Sequence, residues 1–118
     1  MKTEELLKII TKAADSKFAA DIEILDIQEL TTIADYFVIC SGQGATQLRA
    51  IAEEIERKAK EAGEAPISTE GYTASSWILL DFGSIVVHIF RKELREFYAI
   101  ERLWSEAKKI DAAQFLAE

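Results

Sequence analysis

The stretch from Trp77 to Phe90, WILLDFGSIVVHIF, constrains the fold more than any other part of the chain. Two apolar runs rich in β-branched residues meet at Gly83-Ser84, the residue types that a tight hairpin turn requires. With those two residues at the turn, Phe82 pairs with Ile85, and side-chain alternation gives the hairpin two unlike faces. One face carries Ile78, Leu80, Phe82, Ile85, Val87 and Ile89 and is wholly apolar, a surface for helices to pack on. The other carries Trp77, Leu79, Asp81, Val86, His88 and Phe90, a mixture that has something else to touch.

The remaining elements follow from periodicity. Thr3 is positioned to cap a first helix, with Glu4 and Glu5 in its first turn and Leu6, Ile9, Ile10 and Ala13 on one apolar face. Residues 22–27 largely alternate and predict a strand. Tyr36 to Cys40 is uniformly apolar and predicts a central strand. A helix is predicted from about Ala45 to Ala62, with Leu48, Ile51, Ile55, Ala59 and Ala62 as its buried stripe and Gly63 as its stop. Residues 64–76 form a polar connector around Tyr72, and after the hairpin Phe97, Tyr98, Ile100, Leu103, Trp104 and Ala107 recur at helical spacing. The order α-β-β-α-β-β-α, with one obligatory antiparallel pair, predicts an α/β fold of the α+β type with a single mixed sheet. The chain, 1–118, is expected to be one domain, with 106–118 a flexible or helical tail.

The formal net charge of −7 argues against sequence-independent nucleic-acid binding and against anionic membranes, and it suits a basic protein partner. A single cysteine, Cys40, leaves no internal disulfide and sits in an apolar run, where an inert buried thiol is expected. The N-terminus, MKTEELLKII, lacks a signal-peptide layout, so a cytoplasmic protein is expected.

The motifs that carry chemistry are weak. Ser41-Gly42-Gln43-Gly44 between strand and helix has the outline of a phosphate-cradling loop, but no Walker lysine follows and a structural turn is the favoured reading. Asp81-Phe82-Gly83 spells a kinase metal motif in a chain far too short for a kinase. A nucleotidyltransferase would need paired carboxylates on the strand after that helix, and only Asp81 is there. His88 is the only histidine and cannot build a multi-histidine metal site. Its place beside Trp77 and Phe90 on the mixed face favours a surface role, since aromatics among acids and arginine have the composition of an interface core.

Five blocks in order resemble the ribosomal silencing factor family, RsfS or Iojap: residues 35–42, Glu70-Gly71-Tyr72, residues 77–83, residues 86–90, and Arg95 to Tyr98 continuing to Leu103-Trp104. The resemblance covers about residues 3 to 105. It implies a nucleotidyltransferase-like fold without catalytic carboxylates, no enzymatic activity and no cofactor. It further implies a factor that binds the large ribosomal subunit through ribosomal protein fourteen and sterically blocks joining with the small subunit, lowering translation in the bacterial cytoplasm. Organelle relatives act in large-subunit assembly. Within the matching blocks, Tyr72, Trp77, Asp81, His88, Phe90, Tyr98 and Trp104 are the contact candidates expected from side-chain type and face, with Glu70 and Glu101 as charge partners. Little direct nucleic-acid contact is expected. The alternatives are a minimal nucleotidyltransferase using Gly42, Gly44 and Asp81, and a homodimeric protein whose mixed face is its own interface.

Overall fold

The structure, a computed structural model, describes residues 2–98, 102 and 104–116, those of Phe97 and Tyr98 by backbone alone. Helix α1 (Thr3–Ser16) leads into β1 (Ala20–Asp26) and β2 (Tyr36–Gly42), and α2 (Ala45–Glu61) into β3 (Ser68–Glu70), β4 (Trp77–Asp81) and β5 (Ile85–Arg91). Helix α3 (Lys92–Tyr98), β6 (Lys108–Ile110) and a short α4 (Ala113–Leu116) follow among the described residues. The six strands form one sheet in the order β3-β4-β5-β2-β1-β6. Only β2 and β5 run parallel, and α2 lies in the crossover between them, so the sheet is mixed.

The hairpin adopts the predicted register: Leu80 pairs with Val87 and Asp81 with Val86, and the Phe82 amide donates to the Ile85 carbonyl at 2.9 Å. Gly83 alone of the two turn residues has positive φ, +87°, a conformation that glycine adopts without steric cost. The two faces separate as expected. Ile78, Leu80, Ile85, Val87 and Ile89 share a core with Leu6, Leu7 and Ile10 of α1 and Leu48, Ile51 and Ile55 of α2. β2, hydrogen-bonded on both sides, is buried along its whole length. Helix α2 stops where Gly63 turns to φ +92°, the Gly63 amide reaching the Lys60 carbonyl at 2.9 Å and the Glu64 amide the Ala59 carbonyl at 2.8 Å. Those two bonds make a Schellman cap.

Three expectations are corrected. The element order gains two strands, β3 and β6, each three residues long on opposite edges of the sheet. They read STE and KKI, largely exposed, and are held by backbone pairing, which leaves no hydrophobic alternation to find. The segment expected as a tail therefore supplies an edge strand and a short helix, with Phe115 packed against the α1 side of the core. Thr3 is the first helical residue and not the cap: Lys2 holds that position and makes no side-chain capping bond. Finally, α3 starts at Lys92, directly from β5, and residues 104–106 form a turn, so Ala107 is not on the helix that periodicity drew.

Candidate protein-docking surface

The mixed face of the hairpin is largely a second core. Val86 and Phe90 pack with Leu25, Ile27, Ala34, Phe37 and Ile39, and Trp104 and Ala107 fold over them. The Trp104 ring meets Phe37 edge-on at 5.3 Å, and Phe37 meets His88 edge-on at 4.8 Å. His88 is only 5% exposed and Phe90 is fully enclosed, which corrects the expectation that both present their rings at the surface. The physical reason is the return of the chain through Trp104 and Ala107, a long-range contact invisible to local alternation.

What remains open on this face lies toward the β3 edge. Trp77 and Leu79 are half-buried there, Asp81 lies further along the same side of β4, and Glu70 of β3 sits opposite Leu79, exposed. Glu70, Trp77, Leu79 and Asp81 thus form an apolar pair flanked by carboxylates. Leu79 was missed by choosing candidates on side-chain type alone; its alternation with Trp77 was the available signal.

Trp77 is held from three sides. Its indole stacks on Phe90 at 4.8 Å with 27° between the planes. Its Nε1–H donates to His88 Nδ1 at 3.2 Å, which requires that nitrogen to carry no proton, so His88 acts beneath the surface as the support of the indole. Its backbone is wrapped by the 71–76 turn: a Cβ on Gly71, φ +78°, would stand 2.0 Å from the Trp77 carbonyl oxygen. In that turn the Ser75 amide donates to the Gly71 carbonyl at 2.9 Å and its hydroxyl to the Tyr72 carbonyl at 2.6 Å. The turn is tied to α2 by the Tyr72 hydroxyl, which donates to Glu53, and by the Thr69 hydroxyl, which donates to Glu56 Oε1 at 2.9 Å. That bond to Glu53 raises the Tyr72 pKa above the ordinary phenol value, so the tie persists across neutral pH. Tyr72 is exposed, and it projects toward α2, on the other side of the sheet edge from Trp77. The Tyr98 side chain and Glu101 lie outside the described residues.

The residues of the nucleotidyltransferase alternative do not converge. Gly42 pairs with Arg91 at one end of β5 while Asp81 pairs with Val86 near the other, five residues and about 17 Å away. The Ser41–Gly44 loop is filled from within: Gln47 Oε1 accepts the Gln43 amide at 2.7 Å, and its Nε2 donates to the Lys17 and Phe18 carbonyls at 3.2 and 3.1 Å. A Cβ on Gly42 would meet Leu48 at 2.9 Å, so that glycine serves close packing. Burial pushes the Cys40 thiol up to about 12, which leaves it inert.

Beyond the C-terminal ends of β2 and β5 opens a cavity of about 390 Å³ that sequence reading missed. Its wall is Arg95, 8% exposed, which donates to the Asp21 carbonyl at 2.6 Å and pairs with Glu23 at 3.5 Å. Asp21 stands at a bulge in β1, with φ +50°, and Arg95 satisfies the carbonyl that the bulge turns out of the ladder. The guanidinium is occupied with holding the sheet together.

Residues 1–118 match the family described as "Ribosomal silencing factor during starvation". The chain belongs to the ribosomal silencing factor family. It is 41% identical over 111 residues to ribosomal silencing factor RsfS of Bacillus subtilis, covering 94% of each chain. It is 32% identical over 102 residues to the chloroplastic protein Iojap of Zea mays, covering 86% of this chain and 44% of that one. A crystal structure of a Chromobacterium violaceum protein, 32% identical, superposes with a TM-score of 0.87 over 89% of this chain and 88% of the other. The family is named for a regulatory role, and the mixed α/β fold with one six-stranded sheet agrees with that crystal structure.

Proposed function

We propose that this chain is a non-catalytic silencing factor of the bacterial cytoplasm, a single domain that binds the large ribosomal subunit through ribosomal protein fourteen and occupies the face that meets the small subunit. The observation that carries this reading is the open part of the mixed face beside β3, where the supported indole of Trp77 and the side chain of Leu79 lie next to the carboxylates of Glu70 and Asp81. An indole with one face packed and one side open is a typical interface anchor, and flanking carboxylates select a basic partner. Silencing is then steric: the protein occupies space that an inter-subunit bridge needs. The likeness to nucleotidyltransferases belongs to the same reading, as a fold without their metal-binding carboxylates.

Co-sedimentation with purified large subunits, with and without excess small subunits, tests it. Binding to free large subunits that falls as joined ribosomes form is the expected result; absence of binding refutes the proposal. Trp77→Ala is expected to weaken binding by about 2 kcal/mol, roughly thirtyfold, while unfolding stays cooperative. His88→Ala should instead lower stability first, because that ring is inside the second core.

A further inference from the structure

The end of the sheet at the hairpin turn carries an unexplained apolar rim. Ile67 and Ile33 are 73% and 71% exposed, and Leu30, three residues before Ile33, is exposed as well. The fold brings their segments together. The Ile67 amide donates to the Asp81 carbonyl at 2.6 Å, a Cβ on Gly83 would lie 3.2 Å from Ile67, and the Asp35 amide donates to the Ser84 carbonyl at 2.8 Å. The row from Ile67 through the hairpin turn to Ile33 crosses four neighbouring strand ends, about 15 Å. At the β1 side of the same rim a groove of about 200 Å³ is lined by Asp26, Gln28, Glu29, Leu30, Glu106 and Lys108.

The charge of this end is predominantly acidic. The segments that build it, residues 26–35 and 78–85 with Ile67, contain no lysine or arginine and place Asp26, Glu29, Asp35 and Asp81 along the rim, and Glu106 lines its groove beside a single cation, Lys108. Anionic lipid and nucleic-acid backbone are repelled by such a rim, and a second copy of the chain would set carboxylates against carboxylates. A basic protein surface is attracted to it, and a lysine or arginine of that surface can lay its apolar stem on Leu30 with its head among Asp26, Glu29 and Glu106.

We infer that this rim is a second docking surface, opposite the Trp77 end of β4, occupied by a basic segment of a large-subunit protein that packs apolar side chains on Ile33 and Ile67; the inference rests on the large-subunit reading above. Binding to purified large subunits is measured for Ile33→Ser with Ile67→Ser, for Glu29→Lys, and for Phe18→Ser, an exposed phenylalanine at the other end of the sheet. The double serine variant should bind about tenfold or more weakly and Glu29→Lys several-fold more weakly, with unchanged melting temperatures, while Phe18→Ser binds as the parent does. A photo-reactive residue at position 33 should form adducts with protein. Unchanged binding of the rim variants, or adducts to ribosomal RNA, overturns the inference while leaving the large-subunit reading in place. Failure of the parent protein to bind large subunits overturns both.

Discussion

Gly71 and Gly83 share a left-handed backbone, at φ +78° and +87°, but their surroundings differ. A Cβ at Gly83 would meet only the far end of Ile67, an exposed side chain that can move aside, so Gly83→Ala should cost only the left-handed strain, about 1 kcal/mol. A Cβ at Gly71 would press on the Trp77 carbonyl, which is backbone already fixed in the β4 ladder. Gly71→Ala therefore displaces the whole 71–76 turn and should cost on the order of 2 kcal/mol or more. Urea unfolding ranks the two variants, and equal costs would mean that the turn is not what positions Trp77. The Gly71 variant should in addition weaken large-subunit binding in proportion to the movement of the indole. Neither cost was legible from sequence, where both residues read simply as turn glycines.

At the level of elements, the hairpin, its register and its helix-packing face followed from alternation and one turn, because those signals are local. β3 and β6 were missed because three-residue edge strands carry no periodicity. The candidate site was half legible. Trp77 was placed on the right face by parity, but His88 and Phe90 were assigned to the surface because nothing near them in the chain announces that Trp104 folds back over them. The Ser41–Gly44 loop shows the same limit. It has the outline of an anion cradle, and its actual occupant, the Gln47 amide, is recognisable only once α2 is in place beside the α1–β1 turn. Gln47 ties the Ser41–Gly44 loop to the α1–β1 turn, accepting one amide and donating to two adjacent carbonyls, so Gln47→Ala should destabilise the protein by about 1–3 kcal/mol. Gln47→Glu keeps the acceptor and sets a carboxylate against the two carbonyls, and should recover none of that loss. If glutamate restores full stability in thermal unfolding, the donor half of the side chain contributes nothing.

At the scale of the whole molecule, the proposed function requires a body of 33 × 32 × 28 Å with a formal net charge of −7 to approach a particle rich in RNA. Whether its own field helps or hinders depends on what it meets last. Cationic protein at the docking site attracts it; exposed phosphate repels it. The sign can be read on α1, which contributes no named residue to either proposed contact. Glu5 and Asp15 are exposed near opposite ends of α1. Neutralising both, Glu5→Gln with Asp15→Asn, takes the formal charge from −7 to −5 without touching the sheet. If basic protein dominates the encounter, association with large subunits slows by roughly twofold at low ionic strength while dissociation is unchanged, since distant charges act on approach and not on the formed contact. The difference should vanish at about 0.5 M salt, where screening reaches only a few ångströms. Faster association of the neutralised protein would mean that the RNA field governs the approach, and the pairing of an acidic factor with a basic ribosomal protein would then have to be abandoned as the source of its specificity.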